Sequence, residues 1–433
     1  MYIRAFLFFL CGCFAATSIL AQRKTDDFLK NILEKNKDSL FQQVLSHPDE
    51  YRLQIIYTQI NRDKNNKPTF TNYYFNVDSL FFFNPASTVK LPLAALSLEK
   101  LNEMKLAGVN KFTSMQFDSA YPKQVKELHD STSESGYPSI AQFIRKAFLI
   151  SDNDAYNRMY QFVGQQTINR NLHSKGYSST RITREFMGYT EDQNRHTNPI
   201  NFINMNGTVI YHQPMQYNTD SFDFSHIIKI GKGHYDNHDS LINEPIDFTK
   251  VNNLPLKDLQ QILQSILFPL SVPAMQRFNL AKDDYAFLKQ FLSQYPSETN
   301  YPKYDTSEYF DSYVKFFFRD SLHHSMPSNI RVFNKVGWAY GFMIDASYVA
   351  DFKNKVEFML SATIYANSDG ILNDDKYDDE TVSHPFLYSL GQTIYQYELK
   401  RTRKYKPNLR DFKINYEKRN SHDTRPAIKN ADN

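Results

Sequence analysis

The chain has 433 residues, 41% hydrophobic and 22% charged, which are ordinary proportions for a folded globular protein and exclude a disordered or fibrous one. Glycine is scarce at 13 residues, and the absence of G-x-x-x-x-G-K-[ST] and G-x-G-x-x-G argues against nucleotide enzymes built on those loops. The net charge of +3 is uneven: residues 401–433 hold ten Lys/Arg against four Asp/Glu, net +6, which leaves −3 for residues 1–400 and no footprint for nucleic acid on the body.

Residues 1–21 carry Arg4, an apolar run from Ala5 to Leu20 and a small residue, Ala21, before Gln22. That order predicts a secretory signal cut near Ala21, so the mature chain is expected to be secreted or periplasmic, without a transmembrane span. Cleavage there removes both cysteines, Cys11 and Cys13, and with them disulfides and thiolate chemistry. The alternative is a cut before Cys13, giving a lipoprotein.

Within residues 22–50 the apolar pairs of 26–46 predict an amphipathic helix. The β-branched run 53–60, a polar turn and the run 70–77 predict a hairpin within a strand region, 51–83. A helix starting near Ser87 is apolar all round and therefore buried. Residues 140–150 and 154–163 read as two more helices of a helical part, 84–203, with Asn153 as a cap. Residues 204–330 read as an insertion containing helices at 256–268 and 283–293. Strands follow at 331–336, 342–350 and 356–365 within 331–366, then a helix at 383–398. Strands at both chain ends with helices between them predict an α+β domain over 51–400 whose ends share one antiparallel sheet. The basic tail, 401–433, is expected to be flexible.

Three S-x-x-K tetrads occur: Ser87/Lys90, Ser97/Lys100 and Ser312/Lys315. The spacing puts hydroxyl and amine on one helix face, but only Ser87 stands at a helix start, where free backbone N–H groups favour developing negative charge. Ser151-Asp152-Asn153 falls at a break between two helices. Lys335-Val336-Gly337 ends a strand and precedes Trp338, whereas the competing Lys229-Ile230-Gly231 runs into a polar stretch.

Ser-Thr-Val-Lys, Ser-Asp-Asn and Lys-Val-Gly in this order resemble the penicillin-recognising serine hydrolases, class A β-lactamases most closely. The resemblance covers roughly residues 50–203 and 330–398. It implies the β-lactamase/transpeptidase-like fold, with a sheet from both chain ends, an all-helical domain and a large insertion before the K-x-G strand. It implies Ser87 as nucleophile, Lys90 as its base, Ser151 as the proton carrier to the leaving nitrogen, and Lys335 as a second amine favouring a neutral Lys90. Asn153 would hold the substrate's side-chain amide, and the backbone N–H groups of Ser87 and Trp338, beside Gly337, would form the oxyanion hole. The substrate class so implied is a β-lactam or a peptidoglycan-derived amide, with neither metal nor cofactor. A D,D-peptidase or transpeptidase, or a silent peptidoglycan-binding relative, is the alternative.

Two positions depart from the pattern. Val336 replaces the hydroxyl residue that helps bind a substrate carboxylate. Thr180–Arg184 resembles the start of the loop bearing the deacylating Glu, but Phe186 stands where that Glu is expected. Glu185 is one place early, and Glu191 is the other carboxylate available. His234, Asp236, His238 and Asp239 read as a solvated polar stretch rather than a metal site. His384 has no evident partner, and oligomeric state is not written in the sequence.

Overall fold

The computed structural model describes residues 23–320 and 325–431; the expected signal segment, with Cys11 and Cys13, lies outside the described residues. The N-terminal region is two helices, α1 (Asp27–Leu33) and α2 (Ser39–Ser46), rather than the single helix expected over 26–46. Asp38 breaks it, its Oδ1 accepting from Phe41 N at 2.8 Å as an N-cap, while the Asn36 carboxamide is bonded to Ser389 and Thr393. There follow β1 (Gln54–Arg62), β2 (Pro68–Phe75), α3 (Lys90–Met104), β3 (Ser114–Phe117), α4 (Ile140–Leu149), α5 (Asn153–Val163) and α6 (Gln165–Ser174). Next come α7 (Glu191–Arg195), β4 (Ile200–Ile203), β5 (Val209–Gln213) and the short strands β6 (Lys229–Ile230), β7 (Gly233–Tyr235), β8 (Leu241–Ile242) and β9 (Ile246–Asp247). The chain closes with α8 (Leu256–Leu267), α9 (Lys282–Ser293), β10 (Ile330–Ala339), β11 (Phe342–Asp351), β12 (Val356–Tyr365), β13 (Ile371–Leu372) and α10 (His384–Lys400).

Strands from both chain ends meet in one five-stranded antiparallel sheet, ordered β10-β11-β12-β1-β2. β11 is buried along its whole length because both sheet faces are covered. On one face Val332, Val336, Met343 and Phe358 pack with α1, α2 and α10; on the other, Phe333, Ile344, Tyr348 and Met359 pack with α3, α4, α5 and α8. Side chains alternate along a strand, so Lys335 and Gly337 share the Phe333 face and look toward the helices, while Val336 enters the opposite core.

Three expectations are corrected. The helical part is not all-helical: β3, β4 and β5 form a small antiparallel sheet, with Met115 and Phe117 turned inward from β3. The segment 204–330 does not stand apart as an insertion: Ile230 of β6, Phe248 after β9, and Leu259, Ile262, Leu263 and Leu288 of α8 and α9 all belong to the main core. The basic tail is packed rather than flexible. Leu409 and Phe412 are buried, and the Phe412 ring lies 4.6 Å from Tyr348 and 5.1 Å from Phe268. Its charge is absorbed locally: Arg401 and Arg403 both bond the fully buried Glu398, and Arg425 stacks 3.7 Å over Tyr301. Among the described residues no helix is long and apolar enough to cross a membrane.

Candidate active site

Ser87 sits in a 3-10 turn, Ala86–Val89, that leads directly into α3. Leu91, Leu93, Leu96 and Leu98 are buried on all sides of this helix, so the turn is held from behind by the core. Ala86 is held at φ +43°, a conformation that costs about 1–3 kcal/mol for a residue with a side chain and persists only where packing over-determines it. One turn later Lys90 is fully buried, and a buried amine requires acceptors. Its Nζ donates to Ser87 Oγ at 2.8 Å, to Asn153 Oδ1 at 2.8 Å, to Ser151 Oγ at 3.3 Å and to the Ser151 carbonyl.

The Ser151–Asn153 loop reaches that amine through a second left-handed residue, Ser151 at φ +68°. Asp152, rather than Asn153, caps α5: its Oδ1 accepts from Ala155 N at 2.8 Å, which leaves the Asn153 carboxamide for Lys90. From the sheet side Lys335 Nζ donates to Ser151 Oγ at 2.8 Å and to the Val336 carbonyl at 2.9 Å. One hydroxyl, Ser151 Oγ, is thus shared by two amines from different layers. Gly337 brings strand and turn into backbone contact: a Cβ there would lie 2.5 Å from the Pro85 carbonyl and 3.1 Å from Thr88 Cγ2. Trp338, 44% exposed, donates its Nε1 to Asp379 Oδ2 at 2.8 Å, and burial pushes that carboxyl up to about 6. Ser87, Lys90, Ser151, Asn153, Lys335 and Gly337 therefore converge, with Trp338 at the rim.

Glu185 does not join them. It is buried in the helical part, where its Oε2 accepts from Gln161 Nε2 at 2.8 Å and its N–H donates to Asn194 Oδ1 at 2.8 Å. Burial pushes its carboxyl up to about 8. Phe186 is the residue turned to the site: its ring stacks on Tyr156 at 4.3 Å, and Lys90 Nζ lies 5.3 Å from its centroid. Glu191 is on α7, exposed and paired with Lys250 at 2.5 Å. Val336, buried on the far face, presents nothing to the groove.

The other S-x-x-K tetrads are structural. Ser97 Oγ donates to Leu93 O at 2.8 Å, and Lys100 bonds the Phe162 carbonyl instead. Lys315 lies behind β10, donating to Leu292 O at 2.8 Å and to Asn334 Oδ1 at 2.6 Å; burial pulls its amine down to about 7. His234 Nδ1 is engaged with the Glu244 carbonyl at 2.8 Å. Sequence reasoning passed over one feature beside Ser87: a cavity of about 140 Å³, bounded by Ala86, Phe186 and Tyr340 and walled by Asp247 of β9 and by Phe248. No local motif marks it, since its walls come from four separate parts of the chain.

The family model described as Beta-lactamase enzyme family matches residues 19–213, a span that holds Ser87, Lys90, Ser151, Asn153 and Glu185 and ends before β10. Among solved structures the chain is similar to a β-lactamase from Streptosporangium roseum, at 13% identity and TM-score 0.46, over 85% of this chain and 99% of that one. A class A β-lactamase from Clostridium kluyveri is similar at 14% identity and TM-score 0.44, over 83% of this chain and 100% of that one. A β-lactamase from Francisella tularensis is similar at 14% identity and TM-score 0.45, over 86% of this chain and 99% of that one. No curated protein matches the sequence.

Proposed function

We propose that the chain is an exported serine acyl hydrolase of β-lactamase type, opening a β-lactam or related amide through an acyl-enzyme on Ser87. The observation that carries this is the continuous hydrogen-bond path Ser87–Lys90–Ser151–Lys335. Neutral Lys90 takes the Ser87 proton as Oγ bonds to the carbonyl carbon. That step requires the Lys90 amine in its neutral form at working pH. As the C–N bond breaks, Ser151 passes a proton to the leaving nitrogen and is resupplied from Lys90. The backbone N–H groups of Ser87 and Trp338 hold the oxyanion, each such donor contributing about 3–4 kcal/mol in the transition state. The apolar run Ala5–Leu20 supports export, with lipid attachment at Cys13 as the alternative.

One observation favours a second reading, a penicillin-trapped D,D-peptidase or transpeptidase: Phe186, not a carboxylate, faces Lys90, and Glu185 is bonded to Gln161. A nitrocefin assay beside penicillin trapping on the same preparation separates the two. Turnover supports the hydrolase. A stable stoichiometric adduct without turnover supports the peptidase, and neither outcome means a groove used only for binding.

A further inference from the structure

The cavity beside the Ser87 turn carries two opposite charges that do not satisfy each other. Arg184 and Asp247 both line it; among the described residues neither makes an ion pair within 4 Å, and Asp247 has the Lys229 ammonium, opposite it across β6 and β9, and that of Lys250 only at longer range. Asp247 is exposed, and its Oδ1 accepts from Thr249 N at 2.8 Å; the Thr249 hydroxyl, that backbone bond and the Lys229 and Lys250 ammonium groups hold its carboxyl below the usual range, so it is ionised at neutral pH. Between the charges the walls are aromatic: Phe186, Phe248 and Tyr340, with the Tyr340 ring edge-on to Phe248 at 5.7 Å. Tyr340 is held at φ +55° in the two-residue turn joining β10 to β11, where glycine or asparagine is the usual occupant. A bulky residue is thus kept in a strained turn, where its ring lines the cavity.

We propose that this cavity recognises a zwitterionic head on the acyl side of the substrate, carboxylate to Arg184 and ammonium to Asp247, with the connecting carbons against the three rings. The assignment rests on Ser87 being the acylated residue, because the cavity adjoins Ala86 and the end of β10 rather than the leaving-group side of Lys335. A volume of about 140 Å³ suits the head of an α-amino acid and little more. The substrate class is therefore an amide or β-lactam whose acyl chain ends in a free amino acid.

The probe is Nε-acetyl-lysine, as both enantiomers, titrated by ligand-observed NMR into the Ser87→Ala chain, so that binding is read without chemistry. Nα,Nε-diacetyl-lysine removes the ammonium and Nε-acetyl-lysinamide removes the carboxylate. We expect the zwitterion to bind roughly ten-fold or more tighter than either, the worth of one charged hydrogen bond. Arg184→Gln should abolish the preference over the amide only, and Asp247→Asn the preference over the diacetyl compound only. Equal affinities for all three ligands, no binding by any, or a preference surviving both substitutions would overturn the proposal. Penicillin labelling of the Ser87-containing chain is run in parallel: labelling without zwitterion preference refutes only the cavity assignment, and zwitterion preference without labelling refutes the acyl-enzyme, and with it the acyl-side placement, but not zwitterion binding by the cavity.

Discussion

Gly337→Ala probes the contact on which the site is built. The added methyl carbon would lie 2.5 Å from the Pro85 carbonyl oxygen, about 0.9 Å inside the 3.4 Å at which ordinary contact begins. The obstructing atom is backbone, so no rotamer change relieves it, and Thr88→Ser, which trims only the second contact at 3.1 Å, should not rescue the variant. Either β10 or the Ser87 turn must move by most of an ångström. Overpacking of this kind costs about 1–3 kcal/mol in stability. Displacing Ser87 from the Trp338 N–H by about 1 Å costs on the order of 10²-fold in acylation. Stopped-flow acylation by an activated ester, with thermal melting alongside, measures both. A variant that melts and acylates like the wild type would refute the close packing of strand on turn.

Other perturbations read other parts of the account. Glu185 has a carboxyl raised from 4.5 to about 8, so the folded state keeps a proton that the unfolded state releases, and stability should fall as pH rises between those values. Glu185→Gln should flatten that fall, worth up to about 5 kcal/mol, in urea titrations across pH, and leave deacylation unchanged; a slower deacylation would show that Glu185 acts on the acyl-enzyme after all. Trp338 is the only tryptophan, and its indole is bonded to Asp379, whose carboxyl sits at about 6. Fluorescence should therefore titrate near that pH and lose the transition in Asp379→Asn; a flat wild-type profile would contradict the contact. Phe412→Ala should cost about 3–5 kcal/mol by denaturation, since its ring packs on Tyr348, Phe268 and Phe333, and a negligible change would mean that the tail is loose.

What the sequence made legible is what depends on local spacing. The i,i+3 interval fixes Ser87 and Lys90 on one helix face, and Ser151 declares itself by its place at a helix break. The sheet strands were readable from β-branched runs; three of the four neighbouring pairs are consecutive strands, and only β12 beside β1 joins distant parts of the chain. Legibility stops where one residue of register decides. In the loop after Arg184, neither periodicity nor capping says whether residue 185 or 186 turns to Lys90; the Asn157 bond to Phe186 N, from α5, and the Asn194 bond to Glu185 N, from α7, decide it. The four-residue strand β3 is too short for alternation to stand out, and two apolar residues, Leu409 and Phe412, anchor a tail whose composition otherwise reads as solvated. The cavity beside Ala86 was invisible because Arg184, Asp247 and Tyr340 share no motif.

The most direct measurement is mass spectrometry of the intact chain after incubation with a penicillin, followed by peptide mapping. The account predicts a single covalent adduct on the peptide containing Ser87, absent from Ser87→Ala and strongly slowed in Lys90→Ala. An adduct on another residue, or one that persists unchanged in Ser87→Ala, would contradict it.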